Sequence, residues 1–565
     1  MIVFVSYVMF QEQRRAEFAL EDGAQNQELA LEESAGDVES PIGEQAFPAD
    51  REAAPARSFD TTRRVEEDEP AVSPTAARRP VIPRSTVRVE NQEVAAVISN
   101  GPGLIESWQL RTYEEYVPDG EVPIELIDSE LPALITDIRG IAGGSFSDAN
   151  FENVSASGRE IVQRAENSAG VLTRTFRLDE QGYGFDLELA FESRRSDPVD
   201  AAFEILWPAV SSDREDFREL SLVAYGGEEG VTRTLVQGVG QPGFFGFGGG
   251  ENGREIVEGR SRWAGFDIQY FAGVLIDPSE SARFKVRFDA LEEGLSATTQ
   301  IALPNTSLGT GETLRETMRG FLGPKTPDDL AEAGHGMNYS VNRGFSWLEP
   351  LTRFFEIALD WLYRFIPNYG LAIIVLTILV RIFTAPLMAK QMHSAERMRA
   401  LQPRMKDLQE RFKDDRQKLS EETMKLYREE KVNPVAGCLP LLLQFPVLIG
   451  LFYALRSSIG LRHAPFTMWI TDLSQPATLF VMPGLDFPIR LLPIIMGASM
   501  FVQQKMTPTT GMDPTQARMM LIMMPAMMLF ISYTFPSGLV LYWTVSNLLG
   551  IAQQYWIRSK TQPAS

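Results

Sequence analysis

A single arginine lies in the middle of a stretch that otherwise reads as lipid-soluble: "GLAIIVLTILVRIFTAPLMAK", residues 370–390, with Arg381 near its centre. A guanidinium in that position costs at least about 2.5–3.5 kcal/mol on insertion scales, so something must offset it. A carboxylate would be the simplest partner. Residues 371–389, 435–455, 491–504 and 519–556, the apolar stretches of the C-terminal half, contain no Asp or Glu. Counted from Tyr369, Arg381 lies about 18 Å along a helix, too deep for escape towards that end. Snorkelling towards Lys390, nine residues on, is one resolution. The other is a water-filled cavity lined by Arg381 and by Thr377, Gln444, Gln503, Gln504, Ser546, Asn547 and Gln553.

The chemistry open to such a group is narrow. Arginine does not lose its proton, so it cannot relay one. A proton- or sodium-coupled carrier would want a titratable carboxylate near the midplane, and these stretches supply none. A fixed cation in a polar cavity can hold a polar or acidic peptide segment in passage. Elsewhere the chain offers little catalytic or metal chemistry. His335, His393 and His463 are far apart, Cys438 is the one cysteine, and no GxxxxGK[ST], GxSxG or HExxH occurs. No cofactor or metal is expected. "GFGGGENG" (246–253) reads as a glycine-rich turn between strands, because no strand-then-helix context surrounds it.

The elements that must position Arg381 divide the 565 residues sharply. From Phe345 onward there are 22 Lys/Arg against 15 Asp/Glu, a net of +7, whereas the whole chain is −22. Residues 1–344 therefore carry −29, and that acidity argues against nucleic acid as a partner. "MIVFVSYVMF" (1–10) resembles the outer half of a transmembrane helix, and some ten further apolar residues are expected upstream. Residues 11–85, with 17 acidic and 9 basic side chains, read as a disordered tether.

Between 86 and 325, segments such as "GVLTRTFRLDEQGYGFDLELAFES" alternate apolar and polar residues with turn signals between them, which predicts an antiparallel β-sandwich. "TPDDLAEAGHGMN" (326–338) reads as a short helix and hinge. Residues 345–367 form an amphipathic pattern with Leu348, Leu351, Phe355, Leu359, Leu362 and Phe365 on one stripe. Glu349, Glu356 and Asp360 lie opposite. This predicts a helix in the membrane interface, a core helix packed on the sandwich being the alternative.

Five hydrophobic segments follow, at about 369–390, 435–456, 488–505, 519–535 and 537–556, giving a polytopic helical membrane domain over 368–558. Eleven Lys/Arg between 391 and 433, and Lys505, Arg518, Arg558 and Lys560 at later turns, predict that these connections face the cytoplasm. The sandwich is then extracytoplasmic. Residues 393–433 read as a cytoplasmic helical hairpin divided at "KDD", with Met398, Leu401, Met405, Leu408 and Phe412 as its thin apolar stripe.

"TILVRIFTAPL", "NPVAGCLPLLLQFPVLIGLFYAL", "LRHAPFTMWITDLS", "QQKMTP" and "FPSGLVLYWTVSNLLGIAQQ" closely resemble the YidC/Oxa membrane protein insertases, in the Gram-negative form with a large periplasmic domain. The matching motifs run from about 368 to 556. The resemblance implies a non-enzymatic insertase and chaperone of the bacterial inner membrane. In it Arg381, with Thr377 and Trp543, lines a hydrophilic groove that captures the polar tails of nascent membrane proteins and releases their apolar segments into lipid. Many members have Tyr where Trp543 stands. Nascent membrane proteins and the lipid bilayer are the implied partners, with a Sec translocon and the ribosome as further candidates. The short stretch after Trp556 weighs against a ribosome-binding tail. Two rivals stand beside this expectation: a secondary transporter with an extracytoplasmic sensor, and a sugar-active or sugar-binding module on a membrane anchor.

Overall fold

The computed structural model describes residues 82–565 except 118–119, 128–130, 212–219, 227–229, 240–252, 280, 293–294, 414, 431–438, 483–486, 507–513 and 562–565. The expected half helix at 1–10 and nearly all of the tether at 11–85 lie outside the described residues, as does most of the glycine-rich stretch at 246–253.

The alternating segments form an antiparallel sandwich whose last strand ends at Pro324. A four-stranded meander runs from Thr86–Glu90 through Val94–Ser99 and Ile105–Val117 to Gly120–Glu125. A nine-stranded and a six-stranded sheet make up the rest of the domain. The pleat explains the alternation: Gly184–Ser193 buries Phe185, Leu187, Leu189 and Phe191 at every second position. Trp207 of the six-stranded sheet meets Phe266 of the nine-stranded one edge-on, with centroids 5.7 Å apart. Between them Thr299 Oγ1 donates to Gly265 O at 2.9 Å. The largest buried side chains, Trp108, Trp207, Trp263 and Arg174, all belong to this domain. Arg174 is satisfied without a carboxylate. It donates to Gln163 and to the carbonyls of Ser99, Gly101 and Pro102, and stacks 3.8 Å over the Phe151 ring. Burial pushes its guanidinium down to about 9.

The link to the helical part is short and pinned. Helix α1, Pro327–Ala333, starts where Thr326 caps it by accepting from Asp329 N, with Pro at the first turn. Gly336 stops the chain in the left-handed region (φ 80°), and a Cβ there would lie 2.7 Å from the Tyr225 ring. On either side of α1, the buried Lys325 ammonium donates to Asp267 Oδ1 (2.6 Å) and Ile268 O, and Arg233 bridges Asp267 Oδ2 and Ser340 O. The short helix expected at 326–338 is therefore present, and the expected hinge is held by buried ion pairs.

Helix α2, Glu349–Phe365, packs on the helical part of the chain. It buries Phe355, Leu359 and Leu362 in a core that joins no sandwich residue, so the alternative of a helix packed on the sandwich is not the arrangement found. Phe365, expected on the same stripe, does not join this core and is 68% exposed, as are Phe354, Ile357 and Trp361 to a similar degree. Glu356, expected on the free polar face, is instead tied inward. It accepts from Arg343 Nε (3.0 Å) and from Ser457 Oγ (2.7 Å).

Helix α3, Tyr369–Ala400, is longer than the expected segment. It passes Pro386 and continues to Ala400, about 48 Å at the helical rise. Helices α4, Gln402–Arg411, and α5, Arg416–Glu429, make the charged hairpin. Then come α6, Leu439–Ser457; α7, Leu491–Met506; α8, Pro514–Ser532; and α9, Ser537–Thr561. The segment expected from 488 begins later, because Phe487–Ile489 pairs with Phe480–Met482 as a small hairpin before α7. Among the described residues, Tyr369–Pro386 is long and apolar enough to cross a membrane by itself, while Phe445–Ser457 and Leu521–Ser532 are shorter apolar stretches.

Candidate functional site

Helix α9 presents Trp543, Ser546, Asn547, Gly550 and Gln553 at three- and four-residue spacing, so they form one face. Helices α3 and α7 pack against that face, and most of the expected site residues meet there. Arg381 reaches across from α3, and its Nη2 donates to Ser546 Oγ at 2.6 Å. A Cβ built on Gly550 would lie 2.6 Å from Gln503 Nε2 and 3.7 Å from Arg381 Nη2. Both polar heads therefore sit against the bare backbone of Gly550. One turn towards the amino end of α9, Asn547 Nδ2 donates to Ser499 Oγ of α7 at 3.1 Å. At the other end, Gln553 Nε2 reaches the Ala385 carbonyl of α3, just before Pro386.

The remaining expected residues behave differently. Thr377, one turn before Arg381 on α3, is buried and donates to its own helix at Ile373 O (2.6 Å). Its hydroxyl is spent on the backbone in the manner usual for threonine inside helices. Trp543 is half-buried against Phe535, with centroids 5.9 Å apart. Gln504 turns away from the seam and donates to Met524 Sδ on α8 at 3.0 Å. Gln444 falls within α6, but its side chain is outside the described residues. Ser499 and Gly550 were not among the expected site residues. Their signal is positional: Ser499 lies four residues before Gln503, and Gly550 four after Ser546, so each continues a polar face.

Arg381 has little else to hold it. Its Nε is buried without a hydrogen-bond partner, and no Asp or Glu lies within ion-pair distance among the described residues. The next two side chains, Ile382 and Phe383, are 64% and 85% exposed, so the helix shows an apolar outer face beside a polar inner one. Chemically the seam offers a fixed cation, a hydroxyl and amides, without a nucleophile–base pair. Among the described residues no group of His, Cys, Asp and Glu could hold a metal ion.

The described residues thus join a sandwich domain to a bundle of apolar helices, with Arg381 in one of the bundle's seams. Residues 361–564 match the family described as 60Kd inner membrane protein, and residues 86–357 match the YidC periplasmic domain. A Syntrophus aciditrophicus protein named Membrane protein insertase YidC is 33% identical over 492 residues, covering 84% of this chain and 85% of its own. The protein of the same name from Geobacter metallireducens is 32% identical over 543 residues, covering 93% and 94%. A crystal structure of an active YidC insertase, with its first transmembrane domain resolved, aligns at 19% identity with a TM-score of 0.35, covering 84% of this chain and 95% of that one. The chain belongs to the YidC family, in the form that carries a periplasmic domain.

Proposed function

We propose that this chain is a membrane protein insertase of the bacterial inner membrane, in which the α3–α7–α9 seam receives the hydrophilic tail of a nascent membrane protein. The family supports the insertase role and the periplasmic assignment of the sandwich. The observation that carries the seam is Arg381. Its guanidinium is bonded to Ser546 and meets no carboxylate among the described residues, so part of its hydrogen-bonding capacity is left for a guest. A tail carrying Asp or Glu would supply the missing counter-charge, in surroundings where such attraction is stronger than in water.

In this reading α3, α6, α7, α8 and α9 cross the bilayer with the basic α4–α5 hairpin on the cytoplasmic side. The seam opens towards cytoplasm and lipid. Trp543 lines it beside Arg381, Thr377 backs Arg381 from within α3 with its hydroxyl bonded to Ile373 O, and Gln503 and Asn547 complete its polar wall. The client's apolar segment then leaves along the exposed Met-rich side of α8, where Met519, Met523 and Met527 offer an adaptable surface. Hydrophobic partitioning of the client drives release, aided by the membrane potential at about 2.3 kcal/mol per charge per 100 mV. The test varies charge on both sides of the contact. Insertion of a reporter with an acidic translocated tail should fall more in Arg381→Ala than insertion of its neutral counterpart, and Arg381→Lys should retain part of it. Equal losses for both tails would make Arg381 a structural residue.

A further inference from the structure

The small hairpin ahead of α7 is apolar, and its first strand is exposed at every position. Phe480–Met482 pairs antiparallel with Phe487–Ile489, in the register Phe480 to Ile489 and Met482 to Phe487. Successive strand residues point to opposite faces, yet Phe480, Val481 and Met482 are all exposed. Together with Leu479 and Phe487 they stand between 37% and 53% exposed. An isolated two-stranded hairpin is marginal in water, and a contiguous apolar patch of this kind marks a contact surface.

Its base is firmly fixed. The Phe487 ring stacks on Tyr533 with centroids 5.6 Å apart, and Tyr533 OH donates to Pro488 O. Arg490 donates to Tyr533 O and lies 5.2 Å over the same ring. These contacts hold the hairpin at the junction where α8 ends and α7 begins. The basic residues of these two helices, Lys505 and Arg518, lie at their opposite ends.

We propose that this hairpin lies flat in the outer leaflet of the bilayer, at the headgroup–acyl boundary, with lipid covering both faces. The argument is continuity: α7 and α8, which carry its base, are the elements assigned above to the bilayer, and the proposal rests on that assignment. Depth follows from the backbone. Open strand edges do not occur in lipid-exposed hydrocarbon, because their amide groups would go unsatisfied, so the hairpin cannot lie at core depth. At the interface, water and headgroups satisfy those edges while acyl chains cover the apolar side chains. Arg490, with an aliphatic stem and a guanidinium tied to Tyr533, suits the headgroup level.

The test uses the full chain with Cys438→Ser, which leaves no other cysteine, carrying one added cysteine and an environment-sensitive dye. Val481→Cys reports the hairpin. Phe530→Cys, on the outward side of α8, reports the spanning helices, and Val154→Cys, an exposed sandwich position, reports water. Each is reconstituted into phosphatidylethanolamine–phosphatidylglycerol vesicles with lipid spin-labelled either near the carbonyl or at the chain end, in both leaflets. The dye at 481 should be blue-shifted relative to 154 and lose more emission to the carbonyl-level label than to the chain-end label. Emission like that of 154, without quenching, would overturn the proposal. Blue-shifted emission without quenching by either lipid would mean protein covers the hairpin, and stronger quenching by the chain-end label would place it too deep. Failure of the 530 dye to be quenched would instead remove the spanning assignment.

Discussion

A guanidinium with one of its own nitrogens unsatisfied is a costly thing to bury, and among the described residues Arg381 is held by the Ser546 hydroxyl and by a glycine that lets it approach. If the seam depends on that approach, adding bulk at Gly550 should matter more than its small size suggests. Gly550→Ala, whose methyl meets only the movable end of Gln503 and the Arg381 head, should lower insertion of acidic-tailed clients while leaving thermal unfolding of the purified protein nearly unchanged, read by paired translation–insertion and melting assays. A large fall in melting temperature would mean the position serves packing alone. A different residue tests how buried charge is handled in the sandwich. Asp267 accepts from both Lys325 and Arg233, and burial holds the Lys325 ammonium below its usual range. Asp267→Asn should therefore cost about 3–5 kcal/mol, the usual result of stranding buried charges, and should unfasten the link near Ser340 to limited proteolysis. Arg381 was legible in the sequence because charge amid apolar residues is conspicuous. Ser499, Gly550 and the Asp267–Lys325 pair were not, since contacts between residues tens of positions apart depend on how helices and strands meet.

Elements were legible where their period was regular and misjudged where a neighbour decided. The amphipathic stripe of α2 is legible, but Phe355, Leu359 and Leu362, expected to face the membrane interface, are buried among the helices, and Glu356, expected on the polar face, is clasped between Arg343 and Ser457. The amphipathic pattern carries no information about a partner arriving from α6. Glu349, by contrast, sits 3.9 Å from Arg343 on the open side. Glu356→Ala should cost about 1–3 kcal/mol by leaving partly buried donors without an acceptor. Glu349→Ala should change stability by less than about 1 kcal/mol, because its carboxylate is half-exposed, 3.9 Å from a guanidinium that Glu356 already pairs. Chemical denaturation of the two variants side by side would check the difference, and equal costs would contradict the clasp. Helix α3 outran its expected end because its apolar run stops near Lys390 while helix-forming residues continue to Ala400. The hairpin at 480–489 was hidden for the opposite reason, an apolar run too short to distinguish strand from helix.

Among the described residues the two large hydrophobic cores form separately, one within the sandwich and one among the helices. The change in texture near residue 325 announced that division, because period-two alternation gives way to long apolar runs. Contacts between the parts include a hydrogen bond from Gln269 Nε2 to Arg456 O at 3.3 Å, the Arg462 guanidinium 5.8 Å over Phe271, and Ile459 packed on the sandwich core. All the seam residues lie after residue 368. Removing residues 86–324 in frame should therefore leave most insertion activity in a chain that still reaches the membrane, as a depletion-rescue assay would measure. A membrane-bound, folded deletion that inserts nothing would tie the sandwich to the mechanism.

The central claim is that a client tail occupies the seam beside Arg381, and contact during synthesis tests it most directly. A photoreactive amino acid at position 543, on the seam face of α9, should crosslink to the translocated tail of a short membrane protein while it is being translated. The same probe at Val154, in the sandwich, should not. Adducts at 543 that rise with acidic residues in the tail and fall in Arg381→Ala are the predicted result. An absence of nascent-chain adducts at 543, with insertion proceeding normally, would contradict the account.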